Sequence, residues 1–154
     1  MMNIEKKIDP KLNAEVRKIF TLYLEENKQR KTPERFSILE EIYNQIGHFD
    51  AEDLYLKMKR KSYNVSRATV YNTLELLVNS DLITKHQFGE NHAQYEKAYG
   101  SRQHDHLICI NCGKVIEFCE PRLQQIKESM SEIFDMEIKR HALTLYGTCK
   151  LGCK

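Results

Sequence analysis

Apolar residues recur every three or four positions through the first half of the chain, a pattern that predicts helices. Asp9 followed by Pro10 predicts an N-cap and a first helical residue, which open a helix of about four turns. Thr32 and Pro33 repeat this start signal, and Gly47 is expected to end the second helix. The apolar stripes expected on these two helices are Leu12, Val16, Ile19, Phe20, Tyr23 and Leu24, and then Phe36, Leu39, Ile42, Tyr43 and Ile46.

Two further helices are predicted on either side of a basic cluster. Asp50 is expected to cap a third helix, and the cluster at its end suits the partial negative charge of a helix C-terminus. Ser66 is expected to cap a fourth helix, with Val70 and Leu74 on its apolar face. No carboxylate lies between residues 54 and 74, where the basic residues are Lys57, Lys59, Arg60, Lys61 and Arg67.

After Asp81 the pattern changes to a period of two, which predicts a strand, a turn at 88–91 and a second strand at 92–95. Helices followed by such a hairpin are typical of a winged helix-turn-helix. The helix that begins after Ser66 would then be the recognition helix, and the hairpin would be the wing. Small enzyme subdomains can show the same order of elements, so the pattern alone leaves an enzyme open.

A short polar break near residue 100 separates two predicted domains. The expected division is a winged-helix domain at 1–98, a hinge at 99–103 and a second domain at 104–154. The elements expected in the second domain are strands at 107–110 and 115–118, a helix at 121–134 and a strand at 136–146. The residues expected to face inward on that helix are Leu123, Ile126, Met130, Ile133 and Phe134. Because roughly fifty residues build too small a core, a bound metal and subunit pairing are expected to stabilise this α+β architecture.

Composition adds expectations only about the cellular location of the protein and about its binding partners. The chain has 154 residues, of which 41% are apolar and 30% charged, and it lacks the run of 18 or more apolar residues that a membrane span requires. Its first residues have no apolar core suited to a signal peptide, so a cytoplasmic protein is expected. A net charge of +2 does not by itself indicate nucleic acid; the local basic cluster does so only in its structural context.

Four of the five cysteines have the spacing of a metal site. Cys109 and Cys112 form a CxxC knuckle followed by Gly113, and a second pair follows at Cys149 and Cys153. Four thiolates closed to water suit a structural Zn²⁺ ion, whereas a redox CxxC would not explain the distant second pair. The remaining cysteine, Cys119, is expected to be a small buried apolar residue.

A second donor set precedes the knuckle. In an extended strand, His104 and His106 point to one face and Asp105 to the other, and Glu117 can join the histidine face. Nitrogen and oxygen donors without a thiolate favour a reversible site for iron, manganese, cobalt or zinc.

The run from Gln103 to Phe118, with its HDH triplet and CxxC knuckle, resembles the ferric uptake regulator family. The segments 51–55, 68–71 and 145–147 match the family's order and spacing, so the resemblance spans nearly the whole chain. It implies a winged helix, a carboxy-terminal α/β dimerisation domain, a structural zinc and a sensing metal at the hinge.

The resemblance also assigns a regulatory metal site. Its implied ligands are His48, Glu96, His104, His106 and Glu117. Glutamate at positions 96 and 117 resembles the iron-sensing branch more than the peroxide-responsive one, and the absence of a cysteine argues against the zinc-uptake branch. Fe²⁺ is the expected ion, for which Mn²⁺, Co²⁺ or Zn²⁺ can substitute.

This chain departs from the family at two places. In an additional metal site, Asp105 and His141 match, but Gln103 and Gln124 stand in place of the other two ligands, so that site is expected to be weak or empty. The closing cysteines are separated by three residues, where other members have two or four, a difference that a zinc site tolerates.

The resemblance and the basic cluster together identify candidate DNA contacts. Thr69, Tyr71 and Asn72 lie in the first turns of the recognition helix, where a tyrosine ring can pack on thymine methyl groups and asparagine can pair with adenine. Arg67 and Arg35 are expected to contact phosphates. Arg30 or Lys31 is expected to reach a minor groove. Solvated surface charge is the alternative for each basic residue.

The sequence thus predicts a homodimeric repressor of iron-uptake genes that binds A/T-rich palindromic double-stranded DNA when iron is bound. A peroxide, manganese or zinc sensor of the same family is the first alternative. A small metalloenzyme at His104, His106 and Glu117 is the second, although no nucleophile or phosphate-binding glycine loop is evident.

Overall fold

The fold was analysed in a computed structural model that describes residues 9–87, 93–101 and 104–153. The chain divides into two compact units, Met1–Ser101 and Arg102–Lys154. Each unit combines helix with a three-stranded sheet, so the expected α+β class is confirmed. No helix in these ranges has the length and apolar character needed to cross a bilayer.

Helices in the described part of the first unit begin where the capping residues predict. Asp9 accepts hydrogen bonds from the N–H groups of Lys11 and Leu12, and Ser66 accepts one from Thr69. Such caps satisfy N–H groups that have no partner within the helix. The helices are α1 (Pro10–Glu26), α2 (Pro33–Tyr43), α3 (Ala51–Arg60) and α4 (Arg67–Asn79).

The end of α2 differs from the prediction. The helix stops at Tyr43, because the N–H groups of Asn44 and Gln45 bond back to the carbonyls of Glu40 and Ile42 and close the last turn. Ile46 therefore lies outside the helix and is 69% exposed, so its expected place on the apolar stripe is wrong.

The sheet of the first unit contains a strand that the sequence did not reveal. β1 (Phe49–Asp50) pairs antiparallel with β3 (Gln94–Lys97), which in turn pairs antiparallel with β2 (Ile83–His86). The order β1-β3-β2 puts the predicted hairpin beside the segment before α3. The expected turn at 88–91 and the start of the second strand lie outside the described residues.

One apolar core joins the four helices to this sheet. Its side chains come from the predicted stripes and from the strands, which is why the helical periodicity was informative. Completely or almost completely buried members are Val16, Phe20, Leu24, Ile38, Leu39, Ile42, Leu54, Met58, Val70, Leu74, Leu77, Leu82 and Ile83.

The second unit has a mixed sheet and one described helix. Its elements are β4 (Asp105–Cys109), β5 (Val115–Phe118), α5 (Arg122–Phe134) and β6 (Thr144–Gly147). β4 is central, antiparallel to β5 and parallel to β6. The last strand is shorter than predicted, since residues 136–143 have no regular structure.

Two burial predictions for this unit are wrong within the single chain. No residue of α5 is buried, and Ile126, Ile133 and Phe134 are each more than half exposed, because the helix does not pack its apolar face on the described sheet. Cys119 is also exposed; it follows the end of β5, which is an edge strand of the described sheet and has no neighbour on that side.

A buried carboxylate joins α2 to the end of α3. Glu41 is 3% exposed, and its oxygens lie 3.0 Å from Lys57 Nζ and 2.8 Å from Lys61 Nζ. Burial acts to raise the pKa of this carboxyl group, but hydrogen bonds and charge from Lys61 and Lys57 outweigh it, so the pKa is lowered.

We expect Glu41→Gln to lower the free energy of unfolding by about 1–2 kcal/mol at pH 7, because the buried amide loses two charge-assisted hydrogen bonds. Far-UV circular dichroism during urea unfolding measures this, since four of the five described helices lie in the first unit. Because the folded pKa is lowered, the contribution is present above the unfolded pKa of about 4.3 and is lost as the pH falls through the folded value.

The matched control is Glu40→Gln, which removes an ion pair with Arg17 whose two side chains are about half exposed. Its effect should stay below about 1 kcal/mol. Equal effects of the two variants would contradict the prediction.

Candidate functional site

The first donor cluster is built at the end of β4. Cys109 is the last residue of that strand, and the tight turn that follows brings Cys112 back towards it, with the Gly113 N–H bonded to the Cys109 carbonyl. Gly113 has φ +70°, a conformation that glycine adopts without a side-chain clash. The Ile110 N–H donates to the Gly147 carbonyl, which fixes this turn beside the end of β6.

Four sulfur atoms meet at this turn. Cys109 Sγ lies 3.7 Å from Cys153 Sγ, and Cys112 Sγ lies 4.0 Å from Cys149 Sγ. All four sulfurs lie within 4.8 Å of one another. Tetrahedral Zn²⁺ with bonds of about 2.3 Å requires sulfur separations of about 3.8 Å. The four cysteines therefore fit a closed zinc site, and the three-residue spacing between Cys149 and Cys153 does not prevent it.

The cluster also favours deprotonation of the Cys109 thiol. Backbone N–H groups of Cys112 and Asn111 hydrogen-bond the sulfur of Cys109 and lower its pKa to about 6. Hydrogen bonding with the sulfurs of Cys112 and Cys109 raises the pKa of Cys153 to about 12. Crowded thiols cannot all ionise unless a cation is present, so metal binding here releases protons.

A second donor cluster lies on one face of the sheet in the first unit. His48 immediately precedes β1, Glu96 lies in β3 and His86 ends β2. Glu96 Oε2 is 3.2 Å from His48 Nε2, and Glu96 Oε1 is 2.5 Å from His86 Nε2. The side chains of all three are less than 15% exposed. The unpredicted strand β1 thus brings His48, a predicted metal ligand, beside Glu96.

The remaining predicted ligands lie together in the second unit. His106 is directly opposite Glu117 in the β4–β5 pairing, and His104 Nε2 lies 3.8 Å from Glu117 Oε1. The rings of His104 and His106 are 5.0 Å apart between centroids. As strand alternation predicts, both imidazoles are on the Glu117 side. Asp105 instead lies 3.4 Å from His141.

Two residues of the expected additional site, Asp105 and His141, lie close together. Asp105 Oδ1 lies 3.4 Å from His141 Nε2 and accepts a hydrogen bond of 3.1 Å from the Leu143 N–H. Gln124 donates to Glu128 on the same helix, and Gln103 lies outside the described residues. Two of the four expected donors thus meet, consistent with a weak site.

Residues predicted to contact DNA cluster around the start of α4. Tyr71 is half exposed, Asn72 is exposed, and the Thr69 hydroxyl contacts Ser66 at 2.8 Å. Arg67 makes a two-pronged ion pair with Glu52 and lowers the pKa of that carboxyl group.

Two of the other basic candidates, Arg35 and Lys31, also have protein partners. Arg35 donates to the Arg30 carbonyl, and Lys31 pairs with Glu25. A phosphate would have to compete with these contacts.

Sequence reasoning missed His86. Its signal was the strand alternation itself: His86 and Thr84 share one face of β2, and Thr84 is directly opposite Glu96. Without the register, no spacing in the sequence indicates that His86 reaches Glu96.

We expect Cys112→Ser to lower the zinc content by about one ion per chain relative to the wild type and to lower the unfolding temperature of the second unit. Elemental analysis and thermal unfolding measure the two effects. Cys119→Ser is the matched control, since Cys119 is exposed and lies outside the four-sulfur cluster. Full zinc occupancy in the Cys112 variant would contradict the assignment.

Comparison with known proteins identifies the family of the chain. The model of the ferric uptake regulator family matches residues 26–146. The chain is 36% identical over 129 residues to the ferric uptake regulation protein of Bacillus subtilis, covering 82% of this chain and 87% of that protein. It is 33% identical over 127 residues to the peroxide operon regulator of the same organism, covering 82% and 86%.

A solved structure of the ferric uptake regulator from Pseudomonas aeruginosa with manganese has a TM-score of 0.74 to this chain at 28% identity, covering 90% of this chain and 98% of that one. The chain belongs to the ferric uptake regulator family, whose members are metal-responsive, DNA-binding transcription regulators and not enzymes.

Proposed function

We propose that this protein is a homodimeric repressor that binds operator DNA when ferrous iron occupies a regulatory site. The proposed ligands are His48 and Glu96 from the first unit, and His104, His106 and Glu117 from the second. The main observation that supports this proposal is that, within each unit, the sheet register brings these residues together on one face. Such nitrogen and oxygen donors suit Fe²⁺ and also accept Mn²⁺, Co²⁺ or Zn²⁺.

Ligands drawn from both units give the metal its regulatory effect in this proposal. A bound ion favours the arrangement of the two units in which all its ligands are available, and so shifts the population towards that arrangement. If this arrangement also matches the half-site spacing of the operator, metal binding and DNA binding become linked free energies. His48 and Glu96 present donors from the DNA-binding unit, and the two strand histidines present donors from the other.

The four-cysteine cluster is proposed to hold a structural Zn²⁺ that is distinct from the sensing ion. Its sulfur separations match a tetrahedral four-thiolate site, which has no open position for exchange with solvent. Such thiols stay reduced in the cytoplasm, which is the proposed location of the protein.

Subunit pairing is supported by apolar surface in the second unit. Leu107, Ile116 and Leu145 are aligned across the three strands of its sheet, and each is more than a third exposed. Three apolar side chains of α5 are also exposed, namely Ile126, Ile133 and Phe134. A two-fold dimer would cover this surface and would present two recognition helices to a palindromic site.

For DNA, α4 is proposed as the recognition helix and the β2–β3 hairpin as the wing. Thr69, Tyr71 and Asn72 would read bases, and the Tyr71 ring and Asn72 amide favour A/T-rich sequence. The phosphate contacts are proposed to come from Arg30, Lys31, Arg35 and Arg67. The proposed domain limits are 1–98, 99–103 and 104–154.

A peroxide-responsive regulator is the second candidate, and it is favoured by the 33% identity to the peroxide operon regulator of Bacillus subtilis. The two candidates differ in what happens after iron has bound. A peroxide sensor would lose DNA binding when one equivalent of hydrogen peroxide oxidises a ligand, and the oxidised residue would carry an added oxygen atom. An iron sensor would stay bound to its DNA, and its histidines would not be oxidised.

We expect Fe²⁺ to raise the affinity of the zinc-loaded protein for an A/T-rich palindromic duplex by tenfold or more, about 1.4 kcal/mol of coupling. The measurement is fluorescence anisotropy without oxygen, with Fe²⁺, Mn²⁺ and Zn²⁺ titrated separately. His104→Ala should remove the increase while leaving the four-cysteine zinc in place. DNA affinity that no metal changes would refute the sensing function, whereas a stronger response to Mn²⁺ or Zn²⁺ would reassign the ion.

We also expect Tyr71→Ala to weaken binding to the palindrome by about tenfold, because the exposed ring would no longer pack on thymine methyl groups. The control is a duplex of the same length and composition with a shuffled sequence, to which binding rests on phosphate contacts. An equal loss on both duplexes would show that Tyr71 does not read sequence.

A further inference from the structure

We propose that His86 is a positioning residue of the regulatory metal site. Its ring holds one oxygen of Glu96, so that the other oxygen is the one presented to the metal beside His48. This inference rests on the proposed regulatory site, because it concerns how Glu96 acts as a ligand there. His86 is not among the ligands that the family resemblance implies.

Strand pairing puts the three side chains on one face of the sheet. Thr84 is directly opposite Glu96, and His86 is two residues further along β2, so His86 is the diagonal neighbour of Glu96. On the other side of β3, the pairing of Phe49 with Tyr95 places His48 next to Glu96. Glu96 in the central strand is therefore flanked by an imidazole from each neighbouring strand.

The two carboxylate oxygens have different partners. Glu96 Oε1 lies 2.5 Å from His86 Nε2, which is a hydrogen-bonding distance, while Oε2 lies 3.2 Å from His48 Nε2. Two ligand atoms bound to one ion at about 2.1 Å are separated by about 3.0 Å at a right angle and by about 3.4 Å in a tetrahedron. The His48–Glu96 separation fits two ligands of one ion, and the His86–Glu96 separation is too short for that.

Hydrogen bonds from a second residue orient metal-binding carboxylates and tune their affinity. With Oε1 engaged by His86, Glu96 binds through Oε2 alone, as a single-oxygen ligand. The ring of His86 also packs edge-on against that of His48, with centroids 5.9 Å apart, so the same residue limits the rotation of both ligands.

His86 further connects the ligand pair to the wing. It ends β2, and β2 follows α4 through a short turn in which the Leu82 N–H bonds to the Leu77 carbonyl. Through His86, the position of the Glu96 carboxylate would be coupled to the hairpin and to the proposed recognition helix.

Two variants separate the hydrogen bond from the shape of the ring. His86→Phe keeps a ring against His48 but has no donor, whereas His86→Gln keeps an N–H donor without the ring. Each is prepared as the full-length, zinc-loaded protein and titrated with Co²⁺, which reports affinity and ligand set through its visible absorption. Lys85→Ala is the matched control, since Lys85 is on the same strand with its side chain on the opposite face.

We expect His86→Phe to weaken Co²⁺ binding by roughly tenfold to a hundredfold with an unchanged absorption spectrum. His86→Gln should stay within about threefold of the wild type. Co²⁺ affinity of His86→Phe equal to that of the wild type would overturn the proposal. So would a changed spectrum in both variants, which would make His86 a ligand.

Glu96→Ala and His104→Ala distinguish this inference from the function on which it rests. If both lose Co²⁺ binding while His86→Phe does not, only the role of His86 fails. If both bind Co²⁺ as the wild type does, the regulatory site itself is wrong.

Discussion

The small amount of apolar surface that the second unit can bury is the constraint on which the rest of the structure depends. In its described residues, Ile108 and Cys109 are the buried apolar side chains, and α5 buries none. A unit of this size gains too little from apolar burial to offset the loss of chain entropy. The two external contributions proposed above to stabilise its fold are a metal in the four-cysteine cluster and a surface that covers its exposed apolar residues.

The four-cysteine cluster also shares a strand with one of the proposed regulatory histidines. β4 carries His106 near its start and Cys109 at its end, and His104 immediately precedes it. The strand is held by β5 on one side and by β6 on the other, and β6 leads directly to the closing cysteines. A metal bound by the four cysteines would fix both ends of this connection and the register of β4, and with it the directions of two proposed ligands. In the proposed function, the structural site and the sensing site are thus joined through one five-residue strand.

The sequence predicted the features that depend on neighbouring residues, and it failed where pairing between distant segments decides the outcome. The caps at Asp9 and Ser66 are local chemistry, and the structure confirms them. The four cysteines come from distant segments, but each pair has the short spacing of a metal knuckle, and the structure brings the four sulfurs together. β1 has two residues, too short to give a period, so periodicity did not indicate that His48 approaches Glu96, and only the family resemblance implied it. The exposure of α5 had a different cause. The apolar residues recur at helical spacing along α5, but periodicity does not tell which surface will cover them.

Contacts already present between the proposed ligands explain how such a site can be both specific and reversible. His48 and Glu96 lie 3.2 Å apart, a separation that also suits two ligands of one ion, so metal binding would require little further ordering of their side chains. Any direct contact between the imidazole nitrogen and the carboxylate oxygen would be given up on binding, because both atoms would then face the cation rather than each other. Preorganisation of the two side chains raises the affinity for the metal, and loss of the contact between them lowers it. A set of nitrogen and oxygen donors with this balance responds to changes in metal supply, whereas four thiolates closed to solvent retain their ion.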